Sequence, residues 1–184
     1  MGVYRPFGGG SPCPLSSGPW GNTDVPSQLQ MSDDTDLPGD LTVLLIEPQR
    51  FLSRIMCSAL INAGVFTDNI TEVSSATKAL DLLKTKAFDV ILTEMDLPDT
   101  DGEYVIRKAR EWGVDSPIVV ITSGATEGKV REAVNAGVND FLVKPVSQIL
   151  VSKRIARQLH HPQVPDLNRH ASTLSGFSLQ RHAS

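Results

Sequence analysis

From Leu41 to Leu159 the chain alternates short apolar runs with longer stretches in which apolar residues recur every three to four positions. Thr42–Ile46 (T-V-L-L-I), Ile70–Val73, Phe88–Thr93, Ile118–Thr122 (I-V-V-I-T) and Asp140–Val143 read as five strands. An uninterrupted apolar run fits a strand buried on both faces, as in a parallel sheet. Between the runs, Phe51, Leu52, Ile55, Met56, Leu60 and Ile61 fall at helical spacing until Gly64 stops them, and Pro48 stands where a first helical turn tolerates it. Ala76, Ala79, Leu80 and Leu83 form a second helix behind Ser74 or Ser75 as cap, and Glu103–Trp112 a third. Val130, Ala133 and Val134 mark a fourth, closed by Gly137, and Val146–Leu159 is the last. Five strands, each followed by a helix, predict an α/β fold: a doubly wound five-stranded parallel sheet with helices on both faces.

The flanks break this pattern. Residues 1–40 hold six of the twelve prolines, a Gly8-Gly9-Gly10 run and few branched apolar residues. They can bury too little surface to offset the entropy of ordering, and a disordered Pro/Gly-rich and then acidic segment is expected there. Met31, directly ahead of S-D-D-T-D-L-P-G-D, offers an alternative start to Met1. Residues 160–184 read as a disordered His/Ser-rich tail with all four histidines (His160, His161, His170, His182) and the tetrapeptide R-H-A-S twice, at Arg169–Ser172 and Arg181–Ser184. A basic residue three before a serine suits a kinase or a docking peptide, and a duplicated low-complexity segment serves equally well as an explanation. The expected organisation is therefore 1–40, a globular domain at 41–159, and 160–184. A stand-alone module, without a further output domain, is expected.

Charge narrows the partners. Residues 1–40 carry one basic residue against five acidic ones, whereas 41–159 carry fourteen basic and fifteen acidic. A near-neutral core has no basic field for nucleic acid. Cys13 and Cys57 make neither a disulfide framework nor a metal spacing, which favours a reducing, cytoplasmic location. No apolar run is long enough to cross a bilayer, and the amino terminus lacks the apolar core of a signal peptide, so no membrane association is expected.

The chemistry gathers around Val90–Gly102, V-I-L-T-E-M-D-L-P-D-T-D-G. In parallel sheets ligands sit beyond the carboxyl ends of the strands, which places Glu94 at a strand tip with Asp96, Asp99 and Asp101 on the loop behind it. Those three aspartates read most simply as turn and cap residues. Right-handed crossovers bring the tips of the first, third, fourth and fifth strands towards one crevice, delivering Glu47, Glu94, Thr122 with Ser123, and Lys144. Two carboxylates, a hydroxyl and an ammonium converging there suit a phosphate or a metal.

With E-M-D-L-P-D-T-D-G at the third strand, I-T-S ending the fourth and F-L-V-K-P at the fifth, residues 41–159 resemble the receiver domains of two-component response regulators. The resemblance implies a flavodoxin-like strand order 2-1-3-4-5. It implies roles too: Lys144 matches the family's lysine, Pro145 the proline after it with its cis peptide, Thr122 the switch hydroxyl and Phe141 the aromatic whose rotamer reports the state. Glu94 occupies the position of the phosphoaccepting aspartate, and Glu47 with Pro48 that of the acidic pair that holds magnesium; Glu47 and Asp96 would line the acidic pocket.

The departures change the expected function. A glutamate at the acceptor position moves the carboxylate by roughly an ångström, enough to disturb an in-line transfer that depends on positioning. Pro48 supplies no carboxylate, so at most a weak magnesium site at Glu47 and Glu94 is expected, and no other cofactor. The expectation is a pseudo-receiver in phosphorelay signal transduction, not an enzyme, that contacts a sensor kinase or a downstream effector without aspartyl phosphorylation. The alternatives are a conventional phosphoacceptor using Glu94 or Asp96, and a flavodoxin-like small-molecule binder. Asp140 and Arg154 match an intersubunit ion pair of receivers that dimerise, while Val130 and Leu150 stand at the other charge positions, which leaves room for a weak homodimer. Glu94 is expected near the Lys144 ammonium and in hydrogen-bond range of Thr122, with Phe141 turned inward.

Overall fold

A computed structural model describes residues 36–160 of the chain. Most of the two expected disordered segments, with the R-H-A-S repeats, His161, His170 and His182, lies outside the described residues. Five strands, β1 (Val43–Ile46), β2 (Ile70–Val73), β3 (Val90–Thr93), β4 (Ile118–Thr122) and β5 (Asp140–Val143), alternate with α1 (Arg50–Asn62), α2 (Ala76–Leu83), α3 (Gly102–Glu111), α4 (Glu127–Ala136) and α5 (Gln148–His160). All strand pairs are parallel, in the order β2-β1-β3-β4-β5.

Alternation along each strand builds two cores. Val43 and Leu45 of β1, Val90 and Leu92 of β3, and Val119 and Ile121 of β4 point to one face, where Met56 and Leu60 of α1 and Val151 and Ile155 of α5 cover them. Leu44, Ile46, Ile91, Ile118, Val120 and Phe141 point to the other face, beneath Ala79 of α2, Ile106 and Ala109 of α3 and Ala133 of α4. Successive side chains in a strand face opposite ways, so an unbroken apolar run requires helices on both sides. At full burial each Val, Leu or Ile contributes roughly 1.5–3 kcal/mol.

The domain starts earlier than the apolar pattern indicates. Leu37 is buried and donates its amide to Ala63 O at 2.6 Å, while Gly39 O accepts from Phe66 N at 2.9 Å. Residues 37–40 thus belong to the packed domain rather than to the disordered lead-in. At the other end His160 is the last residue of α5 and not part of the tail.

Loop ends are held by long-range polar contacts. Ser75 occupies the cap position of α2, but its hydroxyl makes no capping bond. Asp99 does this from the β3–α3 loop, accepting from Ala76 N at 2.9 Å and Thr77 N at 2.8 Å. Those bonds, Thr77's amide first, hold the Asp99 carboxyl down at about 2. At the opposite end of the sheet, half-buried Arg110 donates to Gly137 O at 3.0 Å, Ser116 O at 2.9 Å and Asn139 Oδ1 at 2.6 Å. One guanidinium fork ties α3 to the turns that enter β4 and β5.

Candidate functional site

Strand register puts the two glutamates side by side. Ile46 of β1 pairs with Thr93 of β3, so the next residues, Glu47 and Glu94, leave neighbouring strand tips together, and Glu94 N donates to Ile46 O at 3.0 Å. Thr122 pairs with Val143, and Lys144 leaves β5 by donating its amide to Thr122 O at 2.8 Å. β3 lies two strands from β5, about 10 Å away at the usual spacing, which suits a long, flexible side chain. Lys144 crosses the tip of β4, and its peptide bond to Pro145 is cis.

The result is a buried charge triad. Lys144 Nζ donates to Glu47 Oε2 at 2.6 Å and to Glu94 Oε2 at 2.7 Å. The three side chains are 8%, 4% and 5% exposed, in the order Lys144, Glu47, Glu94. Burial works against the Lys144 charge, but the hydrogen bonds and fields of both glutamates outweigh it and raise its pKa. The remaining oxygens are engaged as well: Glu47 Oε1 accepts from Gln49 N at 3.0 Å, and Glu94 Oε1 accepts from Met95 N at 2.7 Å. Among the described residues no buried side-chain polar atom lacks a partner.

This donor set does not fit magnesium. That ion takes an octahedron of oxygens at about 2.0–2.1 Å. Both carboxylates already turn one oxygen to an ammonium and the other to a backbone amide, Pro48 brings none, and no group of three or more metal-ligating side chains occurs among the described residues.

Other residues named from sequence take different places. Asp96 does not join Glu47 in the pocket; its side chain is 56% exposed and pairs with Lys129 of α4. The buried Thr122 hydroxyl accepts from Gly124 N at 3.2 Å instead of bonding Glu94. Phe141 is buried in the core under α4. Arg154 Nη1 lies 3.0 Å from both carboxylate oxygens of Asp140 in its own chain, and Val130 faces the core. An intersubunit pair would therefore have to replace an existing one. Gly102, Gly124 and Lys129 were not singled out from sequence. Gly102 closed the acidic turn in the pattern, but its contact with Glu94 O has no local signature, and neither does the pairing of Lys129 with a residue 33 positions away.

Known proteins give a consistent picture. The family model for the response regulator receiver domain matches residues 43–156. A two-component response regulator of Arabidopsis thaliana, number 24 of its series, is 32% identical over 109 residues, covering 58% of this chain and 76% of that protein. The CheY-like receiver domain protein of Methanospirillum hungatei superposes with a TM-score of 0.62 at 19% identity, covering 66% of this chain and 95% of that one. The receiver domain of a sensor histidine kinase from Pseudomonas aeruginosa, with a magnesium ion coordinated in its active-site cleft, gives a TM-score of 0.58 at 26% identity, covering 65% and 96%. Among the described residues no helix is long and apolar enough to cross a membrane.

Proposed function

Since this chain belongs to the family of response regulator receiver domains, we propose that it is an atypical receiver that works in two-component signalling as a protein-interaction module, its pocket occupied by Glu94 and Lys144 instead of an aspartyl phosphate and magnesium. The observation that carries this reading is the position of Lys144 Nζ, 2.6 Å from Glu47 and 2.7 Å from Glu94. An ammonium fills the cationic role between two carboxylates. No catalytic turnover is part of the proposal. The partners are proteins, a sensor kinase upstream or an effector downstream, and the protein acts in the cytoplasm.

Glu94 then acts as a permanent single charge where a phosphoryl group would bring close to two. Its hold on Lys144 ties the tip of β3 to β5, and buried Phe141 keeps α4 seated on that strand. The alternative is a conventional phosphoacceptor, and it makes a distinct prediction. Incubated with acetyl phosphate and magnesium, wild-type protein is expected to keep its mass. A gain of one phosphoryl group that disappears in Glu94→Gln or Asp96→Asn would replace the proposal with that alternative.

The conformational part has its own test. Glu94→Gln removes the negative charge that faces Lys144, so amide exchange over residues 123–146 is expected to accelerate several-fold, with a smaller change in Glu47→Gln. Equal protection in wild type and Glu94→Gln would show that Glu94 does not set the conformation of this face.

A further inference from the structure

Asp96 and Lys129 form an ion pair of their own, separate from the buried triad and two residues along the chain from Glu94. Asp96 leaves the β3–α3 loop two residues after Glu94, and its Oδ1 accepts from Lys129 Nζ in the first turn of α4. Beneath the pair is Gly124, on the loop between β4 and α4. A Cβ at Gly124 would stand 2.9 Å from Asp96 Oδ2 and 3.5 Å from Lys129 Nζ, so the absence of a side chain lets the two charges meet across this loop. Gly124 is itself seated from below, its amide bonded to the buried Thr122 hydroxyl at 3.2 Å. The base of the lysine is fixed as well, since Lys129 N donates to the Thr126 cap at 3.2 Å.

We propose that the Asp96–Lys129 pair is a strap that closes the β3–β4 side of the crevice and clamps the first turn of α4 to the β3–α3 loop, with Lys129 as its positioning residue and Gly124 as its seat. The acidic groups facing Lys129 are Asp96, the nearest, then Asp101 and Glu94, and together they raise its pKa, so it stays charged at neutral pH. The pair is partly solvent-exposed, 35% at Lys129 and 56% at Asp96. Exposed pairs are weak and sensitive to salt, which makes this a contact that opens and recloses rather than a permanent weld. A competing anion that captures Lys129 would release the loop and α4 together. The strap goes beyond the reading of Glu94 as a built-in charge, because Lys129 can be removed while the triad is left in place.

Hydrogen exchange resolved to residues 123–130 tests it in the full chain. Lys129→Met and Asp96→Asn are each expected to accelerate these amides about two- to fivefold at low salt, the range set by one exposed ion pair. The double variant should add nothing further, wild type in roughly 1 M salt should match the single variants, and the exchanged pair Asp96→Lys with Lys129→Asp should restore slow exchange. Exchange of β1 and β3 amides should stay unchanged throughout. Wild-type rates in both single variants, or effects that multiply in the double variant, would overturn the strap. Neither result bears on Glu94, whose own variant tests the other proposal.

Discussion

Lys144→Met is expected to destabilise the domain by about 3–5 kcal/mol at neutral pH, the usual consequence of leaving buried charges without their partner. Methionine keeps most of the side-chain volume, so the loss is electrostatic. Glu47 and Glu94, both nearly inaccessible, would face one another with no cation between them. Wild type has a pH dependence of its own at the alkaline end. The folded pKa of Lys144 is raised above 10.5, so its contribution is complete below that value and is lost as the pH rises through the raised folded value. Urea denaturation of both proteins at pH 7, 10 and about 11.5 measures these differences. A Lys144→Met variant within about 1 kcal/mol of wild type at pH 7 would mean that water or rearranged amides satisfy the glutamates, contrary to the high cost expected for unpaired buried charge.

Gly102→Ala is the second large effect, and its sign runs against helix propensity. Alanine in a helix is normally favoured over glycine by about 1 kcal/mol. At Gly102, however, the added Cβ would stand 2.2 Å from Glu94 O and 2.9 Å from Met95 Cα. Both are backbone atoms at the strand tip that carries the site, and Gly102 N also donates to Met95 O at 2.7 Å. Neither can swing away as a side-chain end would. A net loss of about 3 kcal/mol is expected, at the upper end of overpacking costs, together with faster exchange at Glu94 and Met95. Denaturation of Gly102→Ala beside Gly124→Ala separates backbone collision from side-chain crowding. At Gly124 the nearest atom is the mobile end of Asp96, so the fold should hold while only the strap loosens. Equal midpoints for wild type and Gly102→Ala would show that α3 shifts freely at its amino end.

The elements themselves were legible because they depend on neighbours two, three or four residues away. β4 and β5 begin and end where the apolar pattern places them. Boundaries that depend on distant hydrogen bonds moved. The third strand begins at Val90 instead of Phe88, where Asp89 turns to bond the Thr42 amide at 2.8 Å and its hydroxyl at 2.6 Å. The last helix starts at Gln148 instead of Val146, because the Ser147 hydroxyl accepts from Leu150 N at 3.1 Å. The cap of α2 came from Asp99, in another loop altogether.

By itself the sequence determined a five-stranded parallel sheet covered on both faces, and the strand tips from which Glu47, Glu94, Thr122 and Lys144 project. Alternation and helical spacing encode burial and direction, and direction is enough to choose the end of the sheet where polar groups collect. Only the tertiary structure decided which of those groups meet. Lys144 bonds Glu94 and Glu47 across 50 and 97 positions of chain, while Asp96 goes to Lys129 and Thr122 to Gly124. Such pairings follow from strand order, register and side-chain reach. Those are set by how the whole sheet closes, so no local run of residues carries them.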